Sequence, residues 1–167
     1  MGIPYERYRN KRQSLSYSTF LIDRIIIPMS EEQQAQGRLT TRTLAMPSDT
    51  NAAGDIFGGW VLSQMDIAAG ICAGQRAQGR VVTVALESMS FIGAVKVGDI
   101  LGLYTKITKT GRTSITVQVE AWVRRDRIGL REKVTEGIFK FVALDANGVS
   151  TPVPDESELP DYARDTL

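Results

Sequence analysis

A single carboxylate, Asp55, lies among small and apolar residues in the segment Asn51–Trp60. The residues that follow are apolar at helical spacing, so Asp55 is predicted to lie beside the N-terminus of a helix. Free backbone N–H groups at such an end can stabilise a developing negative charge. A carboxylate there can act as a general base or as a nucleophile. The alternative is that Asp55 only caps the helix.

The composition limits the chemistry that is available. The chain of 167 residues has no histidine and one cysteine, Cys72, which excludes Ser-His-Asp and Cys-His catalysis and argues against a zinc site. One cysteine cannot form an internal disulfide and indicates a reducing compartment, so we expect a cytoplasmic protein. The net charge of +1 favours neither nucleic acid nor a membrane surface as a partner. The apolar run in residues 20–27 is interrupted by charges and is too short to cross a bilayer.

The elements that position Asp55 follow from hydrophobic periodicity. A strand from Leu39 to Met46 ends at Pro47, and a loop of turn-forming residues leads to Asp55. A helix predicted from Gly58 to about Gln78 is apolar on almost all sides and should be buried. The strands predicted after it cover residues 80–91, 99–108, a stretch starting at 114, and 131–144.

One helix followed by a run of antiparallel strands predicts an α+β domain. A single helix cannot cover the whole sheet, so an edge or face of the sheet is expected to pair with another subunit. The domain is predicted to span residues 39–154. Residues 1–38 look unlike the rest of the chain and begin with a polar, basic run. We interpret them as a disordered extension, an interaction or targeting arm, or a stretch preceding a true start at Met29. Residues 155–167 are predicted to be a flexible acidic tail.

The segment Asp49-Thr50-Asn51-Ala52-Ala53-Gly54-Asp55-Ile56-Phe57-Gly58-Gly59-Trp60 resembles the signature of small bacterial acyl-CoA thioesterases of the YciA type. Further matching stretches follow in the expected order, at residues 63–66, 79–84, 87–89, 97–99 and 119–123, so the resemblance covers about residues 39–154. It implies a hotdog fold, in which a curved antiparallel sheet of five to six strands wraps around one long central helix. It also implies hydrolysis of acyl-CoA to a free fatty acid and CoA, and so a role in fatty acid metabolism. No metal or bound cofactor is implied, since CoA is part of the substrate and the product.

The resemblance also implies an assembly and a catalytic position. Relatives of this type form hexamers built as trimers of dimers, with active sites at dimer interfaces. Asp55 matches the catalytic position, and the backbone N–H groups of Gly58 and Gly59 are candidates for the oxyanion hole. Asp66, on the helix, matches the catalytic carboxylate of a related branch, so it is a rival or a supporting residue; otherwise it is an acid paired at an interface.

Candidate substrate-binding residues surround these positions, and each has a structural alternative. Asn51 could bind the substrate or hold its own loop, and Gln64 could orient water or belong to a buried network. Thr83 and Glu87 share a strand face, although threonine also favours strands in general. The phosphates of CoA require basic partners. The candidates, which could instead be solvated surface charges, are Arg80, Arg112, Arg124, Arg125, Arg127 and Lys133. An apolar slot for the acyl chain could be formed by Trp60, Met65, Met89 and Phe91, or these could be core residues.

Two other functions compete with hydrolysis. A dehydratase or hydratase of the same fold would usually rely on histidine, which this chain lacks. A non-enzymatic acyl-CoA-binding or regulatory module needs no catalytic carboxylate, so the presence of Asp55 favours turnover. The basic N-terminal stretch shows no helix-turn-helix pattern that would indicate a nucleic-acid partner.

Overall fold

The structure is a computed structural model that describes residues 34–125 and 130–164. Its elements, in chain order, are β1 (Arg38–Leu44), α1 (Gly58–Ala77), β2 (Arg80–Phe91), β3 (Ile100–Thr110), β4 (Ser114–Arg124), β5 (Arg131–Leu144) and the short α2 (Asp161–Arg164). The predicted helix and strands are confirmed, with ends that differ by a few residues. In the described part of the chain, no helix is long and apolar enough to cross a membrane.

The five strands form one antiparallel sheet in the order β1-β3-β4-β5-β2. Strands β1 and β2 are the two edges, and α1 connects them along the chain. The helix packs against all five strands. The α+β prediction is therefore confirmed, with five strands around one long helix.

The core lies between α1 and the middle strands. Alternate residues of β4 point toward the helix and are completely buried: Ile115, Val117, Val119, Ala121 and Val123. The helix contributes a complementary set of small and medium residues: Val61, Met65, Ala68, Ala69 and Cys72. This interface holds the N-terminus of α1 at a constant position over one end of the sheet.

Within one chain, α1 is not buried on all sides as the sequence predicted. Ile67 is 53% exposed and Ile71 is 41% exposed, because only the other side of the helix meets the sheet. The neighbouring edge strand β2 also exposes apolar side chains, with Val82 at 41%, Val84 at 53% and Leu86 at 40%. An exposed apolar edge strand is a template for pairing with another chain, which agrees with the expectation of a subunit interface.

The domain extends beyond both predicted boundaries. On the N-terminal side, the amide of Gln36 donates a hydrogen bond to the Glu120 carboxylate, and β1 already begins at Arg38. On the C-terminal side, residues 155–164 contain a 3₁₀ turn and α2, and Leu159 and Ala163 are buried. This differs from the expected flexible tail, because two apolar side chains among the acidic residues anchor the segment. The predictions for residues 1–33 and 165–167 lie outside the described residues.

A buried carboxylate, Glu120, stabilises the sheet face opposite α1. It is 3% exposed and accepts hydrogen bonds from the Trp122 indole at 3.0 Å, the Lys133 ammonium at 3.1 Å and the Gln36 amide at 2.9 Å. Burial alone would raise the pKa of Glu120, but these three donors outweigh it and lower the pKa. Burial alone would lower the pKa of Lys133, but its bonds to Glu136 and Glu120 raise it.

We expect the stabilisation from Glu120 to disappear in acid. A carboxyl group with a lowered folded-state pKa contributes stability above its ordinary pKa and loses it as the pH falls through the folded value. Glu120→Gln should therefore lower Tm at pH 7, and its difference from wild type should shrink as the pH falls below the ordinary pKa of the carboxyl group, 4.5. The raised pKa of Lys133 affects the pH dependence of the stability only at alkaline pH.

Thermal unfolding at several pH values, followed by circular dichroism, tests this expectation. Glu136→Gln is the matched control, because Glu136 also pairs with Lys133 but has a side chain that is 41% exposed. A difference between wild type and Glu120→Gln that does not change with pH would contradict the assignment.

Candidate active site

A cleft of about 350 Å³ opens where the loop after β1, the N-terminus of α1 and the end of β2 meet. Its lining comes from three parts of the chain that are far apart in sequence: Asn51, Asp55, Ile56, Gly58, Val61, Phe91, Ile92, Gly93, Ala94, Val95 and Thr135. The first five belong to the motif segment and the helix, the next five to the end of β2 and the loop after it, and the last to β5.

The loop that presents Asp55 is held by Asn51. The side-chain oxygen of Asn51 accepts hydrogen bonds from the backbone amides of Ala53 at 2.9 Å and Asp55 at 3.2 Å. The backbone amide of Asn51 donates to the Asp55 carbonyl at 2.7 Å. Gly54 has a φ of +87°, a left-handed conformation that favours glycine. Asn51 therefore holds its own loop, which is the structural alternative to substrate binding, and it also lines the cleft.

The Asp55 carboxylate is half-buried and faces this cleft. Among the described residues it has no hydrogen-bond or ion-pair partner. The N-cap position of α1 is Phe57, and no side chain caps the helix there. The helix-cap alternative for Asp55 is therefore not realised, and the carboxylate is available to a ligand in the cleft.

The two glycines at the start of α1 differ in their surroundings. In the described structure neither amide has a hydrogen-bond partner, since the first helical bonds are those from Trp60 and Val61 to the Phe57 carbonyl. Gly58 lines the cleft, while the Phe57 ring packs against Gly59 so closely that it leaves no room for a Cβ there. The Gly58 amide is thus the better placed of the two for a charge in the cleft.

The opposite wall of the cleft is held by an ion pair whose carboxylate is buried and whose guanidinium is partly exposed. Asp99 is 4% exposed and accepts hydrogen bonds from the Arg125 guanidinium and the Lys96 amide, both at 2.9 Å. Arg125 also donates to the Ala94 carbonyl at 3.3 Å. The next residue, Val95, accepts a hydrogen bond from the Ile56 amide at 3.0 Å, directly beside Asp55. The pair therefore connects β4 to the wall that faces Asp55.

The rival carboxylate, Asp66, lies outside this lining. It accepts a hydrogen bond of 2.7 Å from the Thr83 hydroxyl and so connects α1 to the edge strand β2. Gln64 likewise connects α1 to β1, through a hydrogen bond of 2.9 Å from Thr43. The structure thus brings Asp66 and Thr83 together but places both, with Gln64, away from the cleft of the same chain.

The charged candidates for substrate binding are spread over the sheet. Arg80 begins β2 and Arg112 lies in the β3–β4 turn, at the end of the sheet opposite the cleft, a distance of about 30 Å along β5. Glu87 is exposed on β2 with Lys140 at 3.8 Å. It does not share a face with Thr83 as the sequence predicted, because β-bulges between Thr83 and Ser88 interrupt the alternation of the strand, and Thr83 is turned toward Asp66. Arg124 lies on the sheet face opposite α1, in a separate cleft of about 180 Å³. A single chain does not bring these residues together.

Of the candidates for the acyl slot, only Phe91 lines the cleft. Met65 is a core residue, and Trp60 and Met89 pack partly buried against the core. Cys72 is buried, and burial raises the pKa of its thiol, so thiolate chemistry is disfavoured there. The described residues contain no cluster of three or more cysteine or acidic side chains that could hold a metal ion.

Sequence reasoning missed the cleft wall at residues 92–95, the lining residue Thr135 and the buried carboxylate Asp99 that holds this wall. The sequence predicts Asp99 only as the first residue of a strand, and it offers Arg125 as a partner for the CoA phosphates. In the structure the Arg125 guanidinium binds Asp99, and Lys133 pairs with Glu120 and Glu136. Arg127 lies outside the described residues. A sequence signal existed for Asp99 alone, since an acid after glycine at the start of an apolar strand must either be exposed or find a partner.

Comparison with known proteins agrees with this architecture. The sequence profile of the Thioesterase superfamily matches residues 53–129. A Haemophilus influenzae protein described as an uncharacterized acyl-CoA thioester hydrolase is 53% identical over 128 residues, which cover 75% of this chain and 83% of the relative. The acyl-CoA thioester hydrolase YciA of Salmonella typhimurium is 52% identical over 122 residues, which cover 71% of this chain and 92% of the relative.

A solved structure is similar to this chain in both sequence and fold. It is an aspartate-to-alanine mutant of a hexameric broad-specificity acyl-coenzyme A thioesterase, 50% identical, with a TM-score of 0.72 over 78% of this chain and 94% of that one. The helix-on-sheet architecture is therefore that of a hotdog-fold thioesterase. Within that class, the chain belongs to the acyl-CoA thioester hydrolases of the YciA type, as its motif segment predicted.

We expect removal of the guanidinium that neutralises Asp99 to destabilise the domain. Arg125→Gln leaves a buried carboxylate with one amide donor, and such a loss typically costs about 1–3 kcal/mol or more. Urea unfolding followed by tryptophan fluorescence should show a lower free energy of unfolding. Glu132→Gln is the control, because Glu132 binds the same guanidinium at 3.0 Å with a side chain that is 55% exposed, and exposed pairs contribute little. Equal effects of the two variants would contradict this account of the ion pair.

Proposed function

We propose that this protein hydrolyses acyl-CoA thioesters at the Asp55 cleft and releases a free fatty acid and CoA, with Asp55 as the catalytic carboxylate. The observation that supports this most is the Asp55 carboxylate itself, half-buried in a cleft and without a partner among the described residues. It stands beside the N-terminus of a helix whose first amides are free in the described structure. A base or nucleophile next to a preformed anion site is the arrangement that thioester hydrolysis requires.

Asp55 can act by either of two routes. As a general base it takes a proton from water, whose oxygen forms a bond to the thioester carbon while the carbonyl electron pair moves to oxygen. The intermediate then collapses, the C–S bond breaks, and the thiolate of CoA receives a proton. As a nucleophile the carboxylate displaces the thiolate and forms an acyl anhydride, which water cleaves. In both routes the Gly58 amide, and in a lesser role that of Gly59, stabilises the oxyanion.

The two routes differ in the origin of the oxygen in the product. In a single turnover in ¹⁸O-water with excess enzyme, the general-base route places the label directly in the fatty acid. The anhydride route can place label in Asp55 instead, where peptide mass spectrometry detects it.

The substrate is expected to bind across subunits. The cleft supplies an apolar wall for the acyl chain at Phe91, Ile92 and Val95. Its lining contains no arginine or lysine, although CoA carries a pyrophosphate and a 3′-phosphate that require cations. Arg80 and Arg112 lie at the far end of the sheet, and Arg124 lies on the sheet face opposite α1. In this proposal they reach a substrate only from a neighbouring subunit. We therefore propose that a dimer is the active unit.

Assembly into a trimer of dimers completes this proposal. The solved relative cited above is hexameric, and the exposed side of α1 and the β2 edge supply an apolar surface for the dimer contact. Asp66, Thr83, Gln64 and Glu87 lie on or near this surface, so in the assembly they would support a site shared by two subunits. Cytoplasmic location, a role in fatty acid metabolism and independence of metals or bound cofactors are proposed with it.

We expect Asp55→Asn to lose at least about 100-fold in kcat, because general acid–base groups contribute about 10²–10⁴-fold. The variant keeps the shape of the side chain, so its melting temperature and its affinity for CoA should match wild type. Thiol release from short, medium and long acyl-CoAs measures the effect. Asp145→Asn is the control, since Asp145 holds a remote turn by accepting bonds from Asn147 and Val149.

Two results would change the assignment. Full turnover by Asp55→Asn together with an inactive Asp66→Asn would transfer the role to Asp66. Binding of acyl-CoA by wild type without thiol release would favour the non-enzymatic binding module instead.

We expect Val84→Lys to reduce the size of the assembly. Val84 is 53% exposed on the edge strand β2, and a lysine there would have to be desolvated in a strand-to-strand contact. Light scattering coupled to size-exclusion chromatography should show smaller particles with reduced activity. Val149→Lys is the matched control, because Val149 is 59% exposed but lies in the turn after β5. An unchanged mass for Val84→Lys would contradict β2 as the dimer edge.

A further inference from the structure

Thr135 is a buried polar residue whose hydroxyl is unsatisfied. It is 1% exposed, and its Oγ1 has no hydrogen-bond partner within the part of the chain that the structure describes. Buried hydroxyl groups nearly always have a partner, so an unpaired one needs an explanation. Thr135 is also part of the lining of the Asp55 cleft, where a ligand can supply that partner.

The position of Thr135 on β5 brings it beneath the start of α1. Alternate residues of this strand face the helix, and a Cβ on Gly137 would lie 3.4 Å from the Met65 methyl group. Further along the strand, the Phe141 ring lies near Gly70. Thr135 continues this row by one step toward the helix N-terminus, which agrees with the presence of Gly58 and Val61 in the same cleft.

The backbone keeps Thr135 next to the cleft wall. The preceding carbonyl, that of Val134, accepts hydrogen bonds from the amides of Ile92 at 2.8 Å and Gly93 at 3.0 Å. Thr135 itself pairs with Phe91 on β2 and with Ala121 on β4. A residue with strands on both sides has little freedom to move, so the position of its hydroxyl is preorganised.

We propose that the Thr135 hydroxyl is a substrate-binding group of the Asp55 cleft and donates a hydrogen bond to the thioester carbonyl oxygen of the bound acyl-CoA. This inference rests on the proposed function. When water or the Asp55 carboxylate attacks the carbonyl carbon, the electron pair of the C=O bond moves to that oxygen, and the hydrogen bond strengthens. When the C–S bond breaks, the carbonyl forms again and Thr135 is unchanged.

The carbonyl oxygen fits this hydroxyl better than the acyl chain does. The acyl chain offers no acceptor, and its expected wall, at Phe91, Ile92 and Val95, is apolar. Gly58 at the helix N-terminus lines the same cleft, so its backbone amide and the Thr135 hydroxyl are two donors available at one site. A preorganised donor in a water-poor site has its largest effect where negative charge develops.

Thr135→Val removes the hydroxyl and preserves the side-chain shape. We expect kcat to fall about 100-fold, the effect of losing one oxyanion donor, with KM changed by less than about threefold. The melting temperature should be unchanged or higher, because an unpaired buried hydroxyl contributes nothing favourable to the fold. Thr135→Ser restores the donor and should recover kcat to within a few-fold of wild type.

Thr105→Val is the matched control. Thr105 is also buried, at 2% exposure, but its hydroxyl is bonded to that of Thr40 at 2.6 Å and lies outside the cleft. This variant should be destabilised and keep its kcat, the reverse of the pattern expected for Thr135→Val.

A binding measurement separates the carbonyl from other partners. In an Asp55→Asn background, calorimetry compares an acyl-CoA with the alkyl thioether of CoA, which has no carbonyl. Thr135→Val should weaken binding of the thioester by about two- to threefold, in line with the small change in KM, because the bond gains most of its strength in the transition state. Binding of the thioether should be unchanged. Equal effects on both ligands, or wild-type kcat in Thr135→Val, would overturn the inference even if Asp55→Asn is inactive. If wild type releases no thiol from any acyl-CoA, the proposed function itself has failed, and an unchanged thioester affinity in Thr135→Val would then refute the inference separately.

Discussion

The packing of α1 across the sheet is the constraint on which the site depends. Met65 in the helix and Val117 and Phe139 in the sheet are completely or almost completely buried in one core, and burial of such side chains typically contributes about 1.5–3 kcal/mol each. Small residues in the helix, such as Ala68, Ala69 and Gly70, let its backbone approach the strands. Because this contact extends along the helix, its first turn is held over the ends of β2 and β5 without a side-chain cap of its own.

The cleft exists because three local features keep side chains out of the space at the N-terminal end of α1. The Asn51 side chain folds the motif loop back on itself, so Asp55 emerges beside the helix and not within it. Gly58 has no side chain to occupy the space near Phe91. The Asp99–Arg125 pair holds the opposite wall through Ala94. Asn51 satisfies backbone amides of its loop, and Arg125 satisfies Asp99. Among the described residues, the Asp55 carboxylate, the Gly58 amide and the Thr135 hydroxyl are then polar groups of the cleft that are open to a ligand.

The same fold leaves one side of the molecule incomplete. The outer side of α1 and the edge of β2 expose apolar residues, whereas the opposite sheet face buries its charge in the network of Glu120 and Lys133. A polar network that is satisfied within the chain does not require a partner, but an apolar strand edge does. The two faces of the molecule therefore differ in role: one completes the domain, and the other is available for assembly.

The sequence by itself determined the elements and the local chemistry. Residues that are close together in the chain set the period-two alternation of β4 and the helical spacing of α1. They also set the position of Asp55 before a helix and the turn at Asn51. The absence of histidine left a carboxylate as the leading candidate for catalysis, and the motif segment identified the family correctly.

Only the tertiary structure decided what surrounds Asp55. The wall formed by Phe91–Val95, the buried Thr135 and the pair of Asp99 with Arg125 are separated from Asp55 by about 40–80 residues. They meet it because β5 pairs between β4 and β2, a result of long-range strand pairing that local periodicity does not encode. The same strand pairing brings Asp66 into contact with Thr83. It also places Arg80 and Arg112 at the end of the sheet that is far from the cleft. Sequence spacing shows which face a side chain occupies, but the neighbours on that face depend on how distant strands come together.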